Sequence, residues 1–402
     1  MPLGSFYDLP FFEPRHQAVR ERIQAWLDQE PNIDDHDEND AWEQSRRFAK
    51  SLGKAGLLEY IVPTYKESAN PNIDVRTICL LREALTYRSA LADSAFVVQG
   101  LASAPFWQLG SERLRKMYLD GTRSGDLIPA FALSEPGGGS DVAATRTTAT
   151  RDGDEFIIEG SKTWTSNAGI ADYYLVIART GEAPGAKGLS GFVVDADTSG
   201  FRVGDPIYTS APHPMATIHF DGVRVPSWKM VGAPGDGFMI AMRTLDIFRA
   251  TVGAASLGLA KRAFDETLAR VAERDLFGKL MADMDTIQMK LADMATDVEL
   301  AALTTYRAAW AWDHKGDRRT TVDASMAKLV GSEAAYRVVD EAVQLYGGLG
   351  VTRGCVVEHL FRDIRAMRIY EGASEIQRLI IGRAFAKQAK VRNYAPAQHS
   401  AT

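Results

Sequence analysis

The run Arg368-Ile-Tyr-Glu-Gly-Ala-Ser-Glu-Ile-Gln377 lies near the end of a 402-residue chain and places one carboxylate, Glu371, between a tyrosine and a glycine. Apolar residues dominate the segment before this run and the segment 379–381 after it. A glutamate held beside apolar groups has its ionised form disfavoured, which makes it a usable proton acceptor near neutral pH. The run therefore predicts a general base at Glu371, and Gly372 would let a substrate approach the backbone closely. A solvated acid at a helix N-terminus is the alternative interpretation.

Hydrophobic spacing divides the chain into three parts. Residues 15–125 carry apolar residues at helical spacing, with Val19, Ile23, Trp26 and Leu27 on one face. Between residues 147 and 225, short runs of β-branched and aromatic residues are separated by glycines and acids, as is typical of strands. Long helical patterns then return and are joined by short links, as in an antiparallel bundle. The predicted fold is mainly α with a central β domain.

We expect the following division from these changes of pattern: an N-terminal α-helical domain over residues 1–128, a small, mostly antiparallel β domain over 129–236, a C-terminal antiparallel helical bundle over 237–388 and a disordered tail over 389–402. Strands are predicted at 155–158, 173–177, 190–194 and 217–220, the first of them after a hairpin turn at Asp152-Gly153. The predicted C-terminal helices cover 239–274, 283–312 and 321–346, and a shorter pair flanks Glu371.

Composition argues against several classes of function. The chain is 46% hydrophobic and 24% charged, with a net charge of -6 and a pI near 5.7. A nucleic-acid or anionic-membrane surface would need a clustered basic excess, so neither partner is expected. Cys79 and Cys355 are far apart and in no metal-ligand spacing, so we expect no disulfide framework and no metal site. The sequence shows neither a signal segment nor a long apolar stretch, which predicts a cytoplasmic protein.

Two further segments carry polar groups in an arrangement suited to a ligand. Phe131-Ala-Leu-Ser-Glu-Pro-Gly-Gly-Gly-Ser-Asp141 places three glycines before a Ser-Asp pair, so that backbone N–H groups and a hydroxyl can cradle a phosphate or a polar ring edge. In Glu159-Gly-Ser-Lys-Thr-Trp-Thr-Ser-Asn167, a tryptophan in a polar, turn-like segment can cover an aromatic cofactor. A tight turn and a packed core tryptophan are the respective alternatives.

Together with Tyr370-Glu371-Gly372, these two segments resemble the acyl-CoA dehydrogenase family. The resemblance covers nearly the whole chain and includes Leu109-Gly-Ser-Glu112, Arg274-Asp-Leu-Phe-Gly278, Leu291-Ala-Asp-Met294 and Gln344-Leu-Tyr-Gly-Gly348. No G-x-G-x-x-G motif follows a predicted strand, so a nicotinamide-binding fold is not indicated.

The resemblance implies FAD bound between the β domain and the bundle, with its adenosine part reaching an adjoining subunit of a homo-oligomer, either a tetramer or a dimer. Trp164 and Ser166 would lie against the ring near N5, and the region of Leu133, Ser134 and Ser140 would hold the pyrimidine edge and a phosphate. The residues implied to bind FAD are Leu133, Ser134, Gly139, Ser140, Trp164, Ser166, Ala373 and Glu375, with Arg274, Phe277, Gln344, Gly347 and Gly348 from the adjoining subunit. An ordinary surface charge is the alternative for Arg274.

The resemblance also implies a reaction, the α,β-dehydrogenation of an acyl thioester in fatty acid metabolism, with an electron-transfer flavoprotein as electron acceptor. Glu371 would remove the α-proton, and the β-hydrogen would leave as hydride to flavin N5. Some relatives instead carry the base on the long helix before an arginine, where this chain has Phe248 and Arg249. A helix–helix ion pair is the alternative for Arg249. The residues implied to contact the substrate are Ser140, Asp246, Arg249, Tyr370 and Gly372.

The chain departs from the family pattern at several positions. Residues 208–215, Tyr-Thr-Ser-Ala-Pro-His-Pro-Met, replace a segment that usually carries an arginine and two hydroxyls. Ala373 stands where a threonine often contacts the flavin, Asp285 where a glutamine is common, and Tyr65-Lys-Glu-Ser68 where glycines are usual. Three alternatives stay open from sequence alone: an oxidase of the same fold, a dehydrogenase of carrier-protein-bound acyl groups, and a flavoprotein without turnover.

Overall fold

The computed structural model describes residues 5–31, 33, 40–69, 71, 73–316 and 318–392. Its first part contains five helices: α1 (Pro14–Gln29), α2 (Ala41–Lys54), α3 (Val75–Arg88), α4 (Ala90–Leu109) and α5 (Glu112–Ser124). Polar side chains cap three of these helices, because Asp74, Ser89 and Ser111 accept hydrogen bonds from backbone N–H groups in the first turns of α3, α4 and α5. The helical pattern is thus confirmed for this part of the chain.

Two details of the helical prediction were wrong. The run over 75–91 is two helices, because Ser89 has an extended backbone (φ -153°, ψ 115°) and caps α4 instead of continuing α3. Pro105 does not interrupt the helices but lies inside α4, four residues before its end. The hydrogen bond that proline cannot donate is therefore lost near the end of the helix rather than at its centre.

The central sheet consists of β1 (Pro129–Ala132), β2 (Thr148–Asp152), β3 (Glu155–Ser166), β4 (Tyr173–Arg179), β5 (Leu189–Asp195), β6 (Phe201–Pro206), β7 (Met215–Pro226) and β8 (Met230–Val231). The strand order is β6-β7-β3-β2-β4-β5-β8, with β1 on β4. Most pairs are antiparallel, and the two that β4 makes with β1 and β2 are parallel. Gly153, at φ 63°, forms the predicted turn between β2 and β3.

Strand β3 is longer than predicted. It continues through Ser166 and includes the segment that the sequence presented as turn-like. Lys162, Thr163 and Thr165 in this segment are buried. Lys162 bonds to the Glu135 carboxylate and Thr163 to the Thr217 hydroxyl, whereas the Thr165 hydroxyl has no partner in the described chain. The register with β7 shifts between Lys162 and Thr165, and Trp164 lies within this irregularity.

The C-terminal part is a helical bundle of α6 (Gly237–Glu273), α7 (Asp285–Asp313), α8 (Thr321–Tyr346), α9 (Val356–Met367) and α10 (Ser374–Arg392). A two-stranded hairpin, β9 (Asp275–Leu276) and β10 (Lys279–Leu280), connects α6 to α7. The three long helices were predicted, and α8 has the expected bounds. The tail prediction was wrong for residues 389–392, which are the last turn of α10; residues 393–402 lie outside the described part of the chain.

Helices α6 and α8 make a backbone contact. A Cβ atom added to Gly331 would lie 2.7 Å from Cα of Gly253, and one added to Gly253 would lie 2.9 Å from the carbonyl oxygen of Ala327. No side chain fits between these two backbones, so both positions require glycine. The contact fixes the distance between the helix that carries Arg249 and the helix that carries Lys328.

The main apolar core runs through both helical parts, and a second cluster lies in the sheet, around Phe156, Tyr174 and Phe192. Across the described residues, no helix is long and apolar enough to cross a membrane. No group of three or more His, Cys, Asp or Glu side chains in the described segments is placed to hold a metal ion, and both cysteines are free thiols.

Candidate active site

Glu371 lies in the short turn between α9 and α10, three residues before α10 begins, rather than inside the first turn of a helix. Its backbone has φ 53°, a left-handed conformation that is uncommon for a residue other than glycine. Its Oε2 atom is buried and makes no hydrogen bond within the described chain. Burial raises the pKa of Glu371, and the positive charges of Arg82, Arg249 and Lys328 oppose that shift. The solvated-acid alternative is therefore wrong.

Two side chains hold the backbone of this turn. Arg249 donates from Nε to the Glu371 carbonyl oxygen over 3.3 Å. Gln377 donates from Nε2 to the carbonyl oxygens of Glu371, at 3.3 Å, and Gly372, at 2.8 Å. Gly372 has φ 95°, and a Cβ there would lie 2.7 Å from the Gln377 amide nitrogen. The turn therefore requires glycine at this position.

Two buried cations near Glu371 were not anticipated from the sequence. Arg82 on α3 forms a bidentate pair with Asp93 on α4, at 2.8 and 2.7 Å, and donates to the Thr251 hydroxyl at 2.8 Å. Lys328 on α8 is fully buried, and its ammonium has no hydrogen-bond partner within the described chain. Burial lowers the pKa of Lys328 to about 8, and the carboxylate of Glu371 acts in the opposite direction. No local motif marks either residue, because each is defined by the elements packed around it.

The first half of α6 contributes three residues that the sequence singled out. Phe248 is buried and packs toward α4, where its Cζ lies 3.1 Å from the position of a Cβ on Gly100. Arg249 pairs with Asp246 at 3.2 Å, and Asp246 also accepts a 2.7 Å hydrogen bond from Thr321 on α8. The alternative of a helix–helix ion pair for Arg249 was wrong: its salt bridge lies within α6, one turn apart.

The glycine-rich segment forms a tight turn that is open on its outer side. Glu135 and Gly138 exchange two backbone hydrogen bonds of 3.0 Å, and added Cβ atoms on Gly137 and Gly138 would meet nothing within 4 Å. The Ser134 carbonyl oxygen accepts from the Thr163 N–H at 2.9 Å, which joins the segment to β3. The tight-turn alternative is thus observed, and the open outer side leaves room for the predicted cradle.

A buried ion pair between Lys162 and Glu135 joins this turn to β3. Lys162 on β3 is 0% exposed, and its Nζ donates to the Leu133 carbonyl oxygen at 3.0 Å and to the Glu135 carboxylate at 2.9 Å. Glu135 also accepts from the N–H groups of Arg146 and Thr147. Burial opposes ionisation of Glu135, but Lys162 and these N–H groups lower its pKa to about 2. Burial lowers the pKa of Lys162 to about 8.

Trp164 is 58% exposed at φ 56°, so the core-tryptophan alternative was wrong. The left-handed backbone conformation of a residue other than glycine costs about 1–3 kcal/mol. This strain, together with the exposed indole ring, points to a ligand-binding role. Two residues later, the Ser166 hydroxyl contacts Nε2 of His213 at 2.7 Å.

The remaining predicted residues lie at the surface. Leu133 and Ala373 are partly exposed, and Gly139, Ser140, Tyr370 and Glu375 are exposed. Phe277 is 95% exposed at the tip of the β9–β10 hairpin, at φ 53°. Arg274 at the end of α6 is exposed, as are Gln344, Gly347 and Gly348 at the end of α8. The residues of the β9–β10 hairpin and of the end of α8 are thus accessible from outside this chain.

The residues present fit a flavin. The accessible glycine turn offers backbone N–H groups, and the exposed Trp164 offers an aromatic face. The orphaned carboxylate of Glu371 offers a proton acceptor. The helix–sheet–helix architecture together with this site defines a flavin-dependent oxidoreductase.

Comparison with known proteins gives the family. Sequence profiles of the acyl-CoA dehydrogenase N-terminal, middle and C-terminal domains match residues 13–126, 130–223 and 235–386. Cyclohexane-1-carbonyl-CoA dehydrogenase of Geobacter metallireducens is 36% identical over 379 residues, which are 94% of this chain and 97% of that protein. The chain belongs to the FAD-dependent acyl-CoA dehydrogenase family, as the sequence motifs predicted.

Solved structures agree with this assignment. Butyryl-CoA dehydrogenase from Megasphaera elsdenii superposes with a TM-score of 0.84 at 30% identity, covering 93% of this chain and 99% of that one. A glutaryl-CoA dehydrogenase from Mycobacterium smegmatis in complex with FADH2 superposes with a TM-score of 0.85 at 26% identity. The match covers 96% of this chain and 98% of that one. The predicted fold class is confirmed, and the chain is an oxidoreductase with FAD as its cofactor.

Proposed function

We propose that this protein oxidises the Cα–Cβ bond of an acyl-CoA thioester and that Glu371 is the base. The observation that carries the proposal is the buried, unpartnered Oε2 of Glu371, held in a strained turn by Arg249 and Gln377. A carboxylate without a hydrogen-bond donor keeps its lone pairs for a substrate proton, and burial strengthens it as a base. Phe248, at the position where some relatives carry the base, cannot accept a proton.

The reaction removes two hydrogens from the substrate. Glu371 takes the α-proton, the β-hydrogen leaves with its electron pair as hydride, and a 2,3-enoyl thioester remains. FAD supplies the hydride acceptor at its N5 atom. Enolate charge develops on the thioester oxygen during proton removal and needs a hydrogen-bond donor. Within the described residues, the backbone N–H of Glu371 makes no hydrogen bond, so it is available for that oxygen.

The other predicted residues take supporting roles in this proposal. Leu133, Ser134, Gly139, Ser140, Trp164, Ser166, Ala373 and Glu375 hold the flavin of the same subunit, and Arg274, Phe277, Gln344, Gly347 and Gly348 hold the cofactor of an adjoining subunit. The exposure of the second group supports a homo-oligomer, either a tetramer or a dimer. Ser140, Asp246, Arg249, Tyr370 and Gly372 contact the acyl-CoA.

The proposed domain bounds are 1–128, 129–236 and 237–388. We further propose a cytoplasmic enzyme of fatty acid metabolism that passes electrons to an electron-transfer flavoprotein.

An anaerobic titration tests the proposal. The purified FAD-loaded protein is mixed with a panel of acyl-CoA thioesters that includes butyryl-CoA and cyclohexane-1-carbonyl-CoA, and bleaching of the flavin is followed. At least one thioester should bleach the flavin stoichiometrically. If none does, while dithionite does, the protein is a flavoprotein without this activity.

Glu371→Gln then tests the base. The variant keeps the shape of the side chain but removes the proton acceptor, so flavin reduction in stopped flow should slow by about 10²–10⁴-fold. Glu43→Gln, at an exposed position on α2, is the matched control and should reduce at the parent rate. A Glu371→Gln protein that reduces as fast as the control excludes Glu371 as the base. Hydrogen peroxide release under air separates an oxidase from a dehydrogenase.

A further inference from the structure

The 208–215 loop, where the chain departs from its family, is anchored to three other elements. The Ser210 hydroxyl donates to the Arg362 carbonyl oxygen on α9 at 3.3 Å, and Arg362 donates back to the Ser210 carbonyl oxygen at 3.1 Å. The ring of Tyr208 packs edge-on against the ring of Trp42 on α2, with 5.9 Å between the ring centroids. The Pro214 carbonyl oxygen accepts from the Asn167 N–H at 2.8 Å. The loop therefore has a fixed position over the end of β3.

His213 points from this loop between two serines. Its Nε2 lies 2.7 Å from the Ser166 hydroxyl oxygen on β3, and its Nδ1 lies 3.2 Å from the Ser94 hydroxyl oxygen on α4. Burial lowers the pKa of His213 to about 4, with Asp363 on α9 acting weakly in the other direction. The ring is therefore neutral at neutral pH, with one N–H donor and one lone-pair acceptor.

A neutral imidazole carries its proton on one nitrogen, so one of the two serine hydroxyls can donate to His213 while the other accepts from it. In the tautomer with the proton on Nδ1, Ser94 accepts from Nδ1–H and Ser166 donates to Nε2. With its proton engaged, the Ser166 oxygen offers only lone pairs to any other neighbour.

We propose that His213 carries its proton on Nδ1 and is a positioning residue that holds the Ser166 hydroxyl as a hydrogen-bond acceptor toward the N5 edge of the bound flavin. The inference rests on the proposed placement of FAD against Trp164 and Ser166. An acceptor at this edge favours the reduced cofactor, whose N5 carries a hydrogen, over the oxidised cofactor, whose N5 carries a lone pair. His213 thereby raises the reduction potential of the flavin and takes no part in proton removal.

The test is the midpoint potential of the bound flavin, measured anaerobically against a reference dye without any acyl-CoA. His213→Leu frees the Ser166 hydroxyl to rotate and should lower the ratio of reduced to oxidised flavin at fixed potential by about three- to tenfold, or about 14–30 mV for a two-electron couple. His213→Gln can still accept from Ser166 and donate to Ser94, so it should stay close to the parent.

A Ser166→Ala background separates this role from a purely structural one. If His213 acts through Ser166, then His213→Leu should not change the potential further in that background. An unchanged potential in the single His213→Leu variant, or an equal drop in both backgrounds, overturns the proposal. If His213→Leu fails to retain FAD, Ser94→Ala decides: losing the acceptor of Nδ1–H should lower the potential, and an unchanged value overturns the proposal.

The measurement needs bound FAD but no substrate. A protein that shows the His213 effect but is not bleached by any acyl thioester would contradict the proposed function without contradicting this inference.

Discussion

Replacing Glu135 by glutamine should destabilise the protein strongly, because it removes the carboxylate that neutralises a buried ammonium. Lys162 is 0% exposed and would keep only neutral acceptors, among them the Leu133 carbonyl oxygen at 3.0 Å. Removing one partner of a buried ion pair typically costs about 3–5 kcal/mol. The lysine can also fold without its proton, which limits the cost. At pH 7, releasing a proton with an unfolded-state pKa of 10.5 costs about 4.8 kcal/mol, at about 1.4 kcal/mol per pH unit.

The pH dependence of this loss identifies its cause. In the parent, burial lowers the pKa of Lys162 to about 8, so the lysine goes from mostly protonated at pH 7 to half protonated at pH 8, which raises the parent's stability by about 0.4 kcal/mol. In the variant, the pKa falls further below its unfolded value, so the folded state binds fewer protons than the unfolded state and stability rises with pH. The variant's stability should rise by up to about 1.4 kcal/mol from pH 7 to pH 8, so the difference in unfolding free energy between the two proteins should shrink by up to about 1 kcal/mol.

Urea unfolding of the FAD-free proteins at pH 7 and pH 8, at one protein concentration, measures both quantities. Glu155→Gln is the matched control in the same sheet, because Glu155 pairs with Arg224 at 3.0 Å while both side chains are about half exposed. It should cost less than about 1 kcal/mol. The reasoning is refuted if Glu135→Gln costs no more than this control, or if its cost is the same at both pH values.

Three other changes have defined outcomes. Gly372→Ala, at φ 95° and in conflict with the Gln377 amide, should lower the free energy of unfolding by about 1–3 kcal/mol and slow turnover; a parent-like melting temperature would contradict this. Arg274→Ala should weaken FAD retention in gel filtration without lowering stability, and equal retention removes Arg274 from the cofactor site. Burial raises the pKa of Glu371, so kcat/KM should fall on the acid side above the usual carboxyl range near 4.5. Lys328→Met removes an opposing charge and should move that limb to higher pH, and an unmoved limb would contradict the coupling.

Periodicity alone predicted most of the fold. Helix α8 has its expected bounds because its apolar residues recur at helical spacing and a glycine follows Tyr346. The prediction cut strand β3 short because Lys162, Thr163 and Thr165 are polar, although the fold buries all three. The partners of Lys162 and Thr163 come from segments distant in sequence. Lysine and threonine are usually exposed, so a sequence pattern places them in turns, whereas here they are buried inside a strand.

For the candidate site, the sequence nominated Glu371 but not the charged side chains around it. The motif around Glu371 was sufficient to nominate the residue, but the cations that oppose its raised pKa, Arg82 and Lys328, come from other helices and have no local signature. The unusual composition of the 208–215 loop was apparent from the sequence. That His213 reaches both Ser94 and Ser166 depends on how the loop is anchored, which only the fold shows.

The contact between Gly253 and Gly331 restricts how this enzyme can evolve toward other substrates. Because the backbones of α6 and α8 touch, neither helix can shift to admit a bulkier acyl group without disturbing the positions of Arg249 and Lys328. Helix α4 and the 208–215 loop also border the site, through Asp93 and His213, and the loop is held by individual hydrogen bonds and one ring contact instead of by touching helix backbones. Laboratory selection for bulkier acyl thioesters should therefore collect substitutions in α4 and in the loop, and leave both glycines unchanged.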